Sequence, residues 1–184
     1  MDQARLVKIS KYLARHLRHA PDRLGITLDS GGWAQVDALI TACNARGFRL
    51  TRAELEEVVC RNDKQRYAFD ATGARIRASQ GHSVAVDLGL PPVEPPPTLY
   101  HGTSEAAVPL ILAHGLTPMR RLAVHLSGDP ATARRVGARH GRPVVLAVEA
   151  AAMNRDGHLF TVSENGVWLV DAVPPDYLRL AADP

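Results

Sequence analysis

The spacing of hydrophobic residues predicts three helices at the start of the chain. Residues 4–19 place their apolar side chains on one helical face. These side chains are Leu6, Ile9, Leu13 and Leu17. A second apolar pattern predicts a helix over residues 36–44. Thr51 and Glu54 have the spacing of a capping box, which predicts a third helix that ends near Arg61.

Two short alternating stretches then predict a β-hairpin. Residues 66–70 and 74–78 alternate in polarity and flank a turn at 71–73. The hairpin carries three arginines, Arg66, Arg75 and Arg77. They suit contacts with a phosphate backbone. The alternative is that these arginines only face solvent and bind nothing. Three helices followed by a hairpin is the order of a winged helix, a fold that binds nucleic acid and in some cases protein.

A proline-rich segment at residues 89–97 separates the two halves of the chain. Such a segment is extended and semi-rigid, so we place a boundary near Leu90 and predict two domains, 1–90 and 91–184. The second domain alternates short strands with helices, which indicates an α+β fold. Its predicted strands are 99–101, 123–127, 143–148, 159–162 and 167–170.

Helix signals lie between these strands. Ser104 is expected to cap a helix that runs to Ala113, and Asp129 is expected to cap another that runs to about His140. The tail, residues 173–180, is expected to pack on the edge of the sheet. We predict that the whole chain is α+β.

The composition excludes several classes of protein. The 184 residues are 46% hydrophobic, yet no apolar run approaches a membrane span and the N-terminus lacks the apolar segment of a secretory signal. Cys43 and Cys60 are interpreted as reduced core residues of a cytoplasmic protein. The net charge is only +3, but all but three of the 22 basic residues are arginine. Arginine suits bidentate phosphate recognition, although a GC-rich genome would produce the same bias.

A candidate nucleotide-holding corner lies at residues 100–104, which read YHGTS. Gly102 would let a ligand approach the backbone closely. Thr103 and Ser104 would cap the helix that follows. A strand-to-helix turn with a buried histidine explains the same letters. The chain contains neither GxGxxG nor GKS/T, so neither a Rossmann site nor a P-loop is predicted.

Seven motifs in order resemble one family, the NAD-dependent RNA 2′-phosphotransferases. They are LRHAP at 17–21, LDSGGW at 28–33, NDKQRY at 62–67, QGHS at 80–83, YHGT at 100–103, VHLS at 124–127 and SENGVWLVDAVPPDYL at 163–178. The resemblance covers nearly the whole chain. It implies an N-terminal winged-helix lobe that binds RNA and a C-terminal ADP-ribosyltransferase-like lobe that binds NAD.

The resemblance also implies a two-step reaction. The RNA 2′-phosphate attacks the ribose C1″ of NAD and expels nicotinamide, which leaves ADP-ribose on the phosphate. The ribose 2″-hydroxyl then attacks phosphorus and releases RNA with a free 2′-hydroxyl and ADP-ribose 1″,2″-cyclic phosphate. NAD is consumed, and 2′-phosphorylated RNA is the expected partner. No metal is expected, since the eight histidines and two cysteines lack ligand spacing.

The family's functional residues map onto named positions of this chain. Those assigned to catalysis are Arg18, His19, Arg66 and Arg139, with Lys64 as an accessory residue of the second step. Those assigned to NAD are His101, Gly102, Thr103, His125, Ser127 and Val167. Those assigned to RNA are Gln80, Gly81, His82 and Ser83. The chain departs from the family at Ala123, where many members have a second histidine.

These residue types suit the expected chemistry. Three arginines would orient one phosphate and spread its charge, and His19 would handle the proton of the second step. The nucleophile is already an anion, so no general base is required and a carboxylate beside it would repel it. That accounts for Val167 at the position where protein ADP-ribosyltransferases have a glutamate.

Two other functions compete with this interpretation. The first is an ADP-ribosyltransferase that acts on nucleic-acid terminal phosphates or on protein, although the missing glutamate argues against protein. The second is a non-catalytic winged-helix regulator, which leaves the second half of the chain without a role. We predict a cytoplasmic protein, monomeric and without a membrane partner.

Overall fold

The computed structural model describes residues 1–61, 64–139 and 141–181. The chain folds into two compact units, Met1–Gly89 and Leu90–Pro184.

A long amphipathic helix forms the centre of the N-terminal unit. Helix α1 spans Gln3–Arg18, and Asp2 caps it by accepting a hydrogen bond from the Arg5 backbone N–H at 2.7 Å. The apolar face expected from the sequence is buried, with Leu6, Ile9, Leu13 and Leu17 each at most 6% exposed. A four-residue helix not expected from the sequence, α2 (Pro21–Leu24), follows directly and ends at Gly25.

Two further helices complete the helical part of this unit, as the sequence predicts. Helix α3 spans Val36–Ala45, and α4 spans Arg52–Cys60. The capping box at the start of α4 is present, with Thr51 and Glu54 each bonded to the other's backbone N–H. The interpretation of both cysteines as core residues is half wrong. Cys43 is buried in α3, but Cys60 is exposed because it is the last residue of α4.

A small antiparallel sheet completes the unit. Its strands are β1 (Ala34–Gln35), β2 (Tyr67–Phe69) and β3 (Arg75–Ala78), in the order β1-β3-β2. The β2–β3 hairpin matches the predicted one, whereas β1 was not expected. Arg75 on the hairpin donates to Asp70 at 2.9 Å and to Asp29 at 3.3 Å. Its charge is therefore balanced by two carboxylates rather than turned to a phosphate.

Two three-stranded antiparallel sheets build the C-terminal unit. The first has the order β4-β6-β9, and its strands span Leu99–Ser104, Pro143–Val148 and Leu178–Leu180. The second has the order β5-β8-β7, and its strands, β5, β7 and β8, span Val124–Leu126, Thr161–Val162 and Trp168–Val170. Tyr100 and Ser127 exchange backbone hydrogen bonds of 2.9 and 2.8 Å, which joins β4 to the end of β5. The tail lies at a sheet edge, as predicted.

Three α-helices and two short 3₁₀ helices surround these sheets. Helices α5, α6 and α7 span Val108–His114, Pro130–Gly137 and Ala150–Arg155, and the 3₁₀ helices span Glu105–Ala107 and Pro175–Tyr177. Asp129 caps α6 as predicted, accepting from the Thr132 N–H at 2.7 Å. The predicted Ser104 cap is wrong. Strand β4 continues through Ser104, which pairs with Pro143, and its side chain makes no capping hydrogen bond.

Two glycines let α6 pack directly on β4. A Cβ on Gly102 would lie 1.7 Å from the carbonyl oxygen of Ala133, and a Cβ on Gly137 would lie 2.7 Å from that of Thr103. Real side chains do not tolerate such distances. On its Cβ side, Gly102 is therefore approached by the backbone of α6, which explains the glycine without a ligand.

The architecture confirms the predicted α+β class. No helix of the described ranges is both long and apolar enough to cross a membrane. Within the same ranges, no group of three or more His, Cys, Asp or Glu side chains is placed to hold a metal ion.

Candidate functional site

The end of α1 brings two of the expected catalytic arginines together. Arg18 Nη2 donates to the backbone carbonyl of Arg66 at 3.4 Å. The Arg18 guanidinium also lies over the Tyr67 ring, with Cζ 5.9 Å from the ring centre. Tyr67 is itself fixed, because its hydroxyl donates to the Ser10 carbonyl of α1. These contacts place the Arg18 side chain beside the backbone of Arg66, the residue before β2.

The QGHS segment, residues 80–83, and the serine before it pack against Arg18 and Arg66. The Ser83 N–H donates to the Arg18 carbonyl at 2.9 Å, and the Ser79 N–H just before the segment donates to the Arg66 carbonyl at 2.9 Å. His19 Nδ1 lies 3.0 Å from Ser83 Oγ. We call Arg18, His19, Arg66, His82 and Ser83 the N-terminal cluster. Gln80 and Gly81 belong to the same segment.

A surface pocket beside this cluster carries further positive charge. Its volume is about 380 Å³, and Lys64 and Arg66 form part of its lining together with Lys11 and Arg61. Leu6, Val7 and Ala14 of α1 supply an apolar wall. Asn62 and Asp63 of the NDKQRY motif lie outside the described residues. The pocket combines cations with an apolar surface, a combination that suits a nucleotide.

His82 is the buried member of the N-terminal cluster, with 2% of its surface exposed. Burial, together with the nearby charges of Arg18, His19 and Arg77, lowers its pKa to about 4. Among the described residues, no hydrogen-bond partner reaches its Nε2. The imidazole is therefore neutral at physiological pH and adds no charge of its own beside the arginines.

We expect His82 to make the protein less stable in acid. The residue titrates near 6.5 when unfolded and at about 4 when folded, so between these values the unfolded chain binds a proton that the folded chain excludes. The free energy of unfolding should then fall as the pH drops through this window, by up to about 3 kcal/mol. Above the window the residue is neutral in both states and contributes no slope.

Urea titrations across this pH window measure the effect. The His82→Gln variant lacks the titrating group and should lose this part of the pH dependence. An unchanged slope in the variant would show that the imidazole is not held neutral by the fold.

In the C-terminal unit, His101 is fixed by the backbone of strand β5. Its Nδ1 lies 3.2 Å from the carbonyl oxygen of His125. A carbonyl only accepts, so Nδ1 carries the hydrogen of that bond. Burial lowers the pKa of His101. The neutral ring therefore presents Nε2 as a hydrogen-bond acceptor, which suits a sugar hydroxyl.

Arg121 is a candidate residue that the motifs did not reveal. Its Nη1 bonds to Nδ1 of His125, which must accept because a guanidinium only donates. The residue as a whole is exposed, yet burial around its guanidinium lowers the pKa, and the charge of Arg139 lowers it further. Arg121 nonetheless stays charged. Its position four residues before His125 is the only signal in the sequence.

Two cations therefore lie within electrostatic reach of each other. Among the described residues, neither Arg121 nor Arg139 forms an ion pair with a carboxylate. Arg139 is exposed, beyond the end of α6. We call His101, Arg121, His125 and Arg139 the C-terminal cluster. Such a pair of arginines favours an anion between or beside them.

The remaining expected NAD residues lie on or next to the same strands. Thr103 is buried on β4, next to Gly102, and its backbone contacts Gly137 of α6. Ser127 pairs with Tyr100. Val167 precedes β8 and ends a turn in which the Ser163 backbone N–H donates to the Val167 carbonyl at 2.9 Å. Leu126 pairs with Trp168 in an antiparallel register. The next residues along, Val167 and Ser127, therefore lie opposite each other.

Comparison with known proteins decides the family. The family model described as RNA 2′-phosphotransferase, Tpt1 / KptA family, matches residues 4–172. The chain belongs to this family.

Individual relatives agree along nearly their full lengths. A probable RNA 2′-phosphotransferase of Streptomyces coelicolor is 60% identical over 182 residues, which is 99% of each chain. One of Nostoc punctiforme is 60% identical over 179 residues, 97% of this chain and 99% of the relative. One of Agrobacterium fabrum is 54% identical over 174 residues, 95% of this chain and 94% of the relative.

Membership confirms three predictions made from the sequence. The resemblance to RNA 2′-phosphotransferases is confirmed, as are the predicted function, removal of a 2′-phosphate from RNA, and the predicted enzyme class, a transferase. The roles of individual residues within that function stay predictions.

Proposed function

We propose that this RNA 2′-phosphotransferase consumes NAD and divides the work between its two units. The N-terminal unit, as a winged helix, binds the 2′-phosphorylated RNA. The C-terminal unit, as an ADP-ribosyltransferase-like lobe, binds NAD. The observation that carries the proposal is the presence of two separate basic clusters, each built around histidines with fixed hydrogen-bond geometry. Monomeric state and cytoplasmic location stay predictions.

The N-terminal cluster suits a phosphate. Arg18 contacts the backbone of Arg66, the residue before β2, so the two arginines lie next to each other and could share one anion. Lys64 adds a cation from the same pocket and is assigned to the second step, where negative charge on phosphorus is greatest. Gln80 and Gly81 extend the RNA contact. His82 is neutral, so it adds no positive charge to that of the arginines.

The C-terminal cluster suits a dinucleotide. His101 Nε2 would accept a hydrogen bond from a ribose hydroxyl, while Arg121 and Arg139 would bind the pyrophosphate or the incoming 2′-phosphate. His125 and Ser127 complete this side on the β5 strand. When bound, NAD supplies an electrophilic ribose carbon and a nicotinamide leaving group. Val167 leaves the site without a carboxylate that would repel the anionic nucleophile.

Single substitutions in the two clusters test this division. Arg66→Ala should raise the KM for 2′-phosphorylated RNA and leave the KM for NAD near wild type. His101→Ala should do the reverse, because it removes a hydroxyl acceptor and no cation. The measurement is initial rates with either substrate varied, with release of nicotinamide and of RNA 2′-hydroxyl followed together.

Arg15 offers a matched control for the first variant. It is an exposed arginine of the last turn of α1 and lies outside both clusters. Arg15→Ala should leave both KM values unchanged. The proposed division is wrong if Arg66→Ala impairs NAD alone, or if wild-type protein removes the 2′-phosphate equally well without NAD.

A further inference from the structure

The residue after the end of α1 is held by a serine from a distant segment. His19 Nδ1 lies 3.0 Å from Ser83 Oγ, although the two residues are 64 positions apart. The backbone of the same serine is fixed as well, because its N–H donates to the Arg18 carbonyl at 2.9 Å. Val84 N–H reaches the same carbonyl at 3.4 Å. The serine thus has a defined position relative to α1.

The Ser83 hydroxyl has two polar neighbours at this position. Besides His19 Nδ1, its Oγ makes a long hydrogen bond of 3.5 Å to the carbonyl oxygen of Arg18. A carbonyl only accepts, so when the hydroxyl hydrogen is directed to it, a hydroxyl lone pair faces the imidazole. That lone pair accepts a hydrogen from Nδ1. Proton exchange with a substrate would then run through Nε2.

We propose that Ser83 is a positioning residue, which fixes the orientation and the Nδ1–H tautomer of His19 so that Nε2 meets the substrate. The inference rests on the proposed function for the role of His19 and gives Ser83 a task other than direct RNA contact. With the hydrogen on Nδ1, a neutral His19 accepts a proton at Nε2 from the ribose 2″-hydroxyl in the second step. As the 2″-oxygen bonds to phosphorus and the bond from phosphorus to the RNA 2′-oxygen breaks, the protonated ring donates from Nε2 to that leaving oxygen.

The surroundings of His19 support a dedicated positioning group. The charged and titratable groups that face this corner include Arg18 on α1, Arg77 on β3 and His82 beneath them. A neutral imidazole can carry its hydrogen on either nitrogen, and the partner of one nitrogen decides which form is present. At Nδ1 that partner is the Ser83 hydroxyl, which has a carbonyl acceptor within reach of its own hydrogen. The bond therefore favours the Nδ1–H form.

¹⁵N NMR of the histidine side chains tests the inference directly. The His19 signal is identified by its loss in His19→Asn, and spectra are recorded at a pH where the ring is neutral. Wild type should show a protonated Nδ1 and an unprotonated Nε2. Ser83→Ala should shift His19 to a mixture of tautomers, and Ser83→Thr, which keeps a hydroxyl, should restore the wild-type pattern.

Kinetics provide the second readout. Ser83→Ala should lower kcat roughly tenfold, part of the effect of acid–base catalysis, with KM for NAD unchanged and with activity recovered in Ser83→Thr. Ser79→Ala is the matched control. The Ser79 hydroxyl donates to the Gln65 carbonyl at 2.9 Å, so its loss should change stability but not the tautomer of His19.

The outcomes separate this inference from the proposed function. A wild-type Nε2–H tautomer, or an unchanged His19 signal in Ser83→Ala, overturns the positioning role whatever the activity. A rise in the KM for RNA with the tautomer unchanged makes Ser83 an RNA contact and also overturns it. Wild-type protein that shows the expected tautomer yet does not use NAD contradicts the proposed function alone.

Discussion

Gly102→Ala is expected to destabilise the protein by about 4 kcal/mol or more, a large part of the stability of a typical domain. The added Cβ would lie 1.7 Å from the carbonyl oxygen of Ala133 and 2.5 Å from its carbonyl carbon. Both atoms are backbone of α6, so no side-chain rotation can make room. Relief requires α6 to move away from β4, which would break the packing at the centre of the C-terminal unit.

Gly128→Ala is the matched control for this variant. No atom lies within 4 Å of a Cβ built there, so the substitution should have little effect on stability. Thermal and urea unfolding of the three proteins, without ligand, measure the difference. If Gly102 served only the approach of a ligand, as the YHGTS motif alone indicates, Gly102→Ala would fold normally and lose only NAD binding. That result would contradict the packing explanation.

The sequence predicted the elements whose signals are local. Helix α1 follows from its apolar spacing, and α4 follows from the Thr51–Glu54 capping box. Strand β6 follows from its buried run of valines and leucine. In each case, the residues that specify the element lie inside it or next to it, so no knowledge of the rest of the fold is needed.

Elements that depend on distant partners were missed or misplaced. Strand β1 has two residues and is a strand only because Ala34 pairs with Ile76. Ser104 has the letters of a helix cap, but pairing with Pro143 across β4 and β6 extends the strand through it. Tertiary pairing overrides local propensity at such positions.

The candidate site shows the same division. The motifs named His101 and His125, and the structure joins them by a hydrogen bond between ring and backbone. They did not name Arg121, because it lies in an irregular segment with no periodic pattern. Only the fold shows that its guanidinium reaches His125 and feels the charge of Arg139.

Arg121→Ala is expected to lower kcat/KM by about a hundredfold or more, and Arg139→Ala by much less. Loss of one cationic donor at a site of developing charge typically costs on the order of 3 kcal/mol. Arg121 is expected to contribute more because the bond to His125 fixes its guanidinium, which then needs little reorganisation to bind an anion. Both arginines are exposed, but among the described residues no hydrogen bond fixes the Arg139 side chain beside either histidine.

The neighbouring Arg120 is the matched control, because it is an exposed arginine of the same loop. Among the described residues, no ion pair or hydrogen bond links it to the C-terminal cluster. Arg120→Ala should keep wild-type activity, and Arg121→Lys should recover only part of it because a lysine cannot bond to His125 and to an anion as a planar fork does. Steady-state rates with NAD and a 2′-phosphorylated oligonucleotide give the comparison, with thermal unfolding of each variant as a check on folding. Equal losses of activity in Arg120→Ala and Arg121→Ala would show that the effect comes from the positive charge of the loop in general, and not from the position of Arg121. A larger loss in Arg139→Ala than in Arg121→Ala would contradict this prediction and favour Arg139 as the fourth catalytic residue, as the resemblance to the family implies.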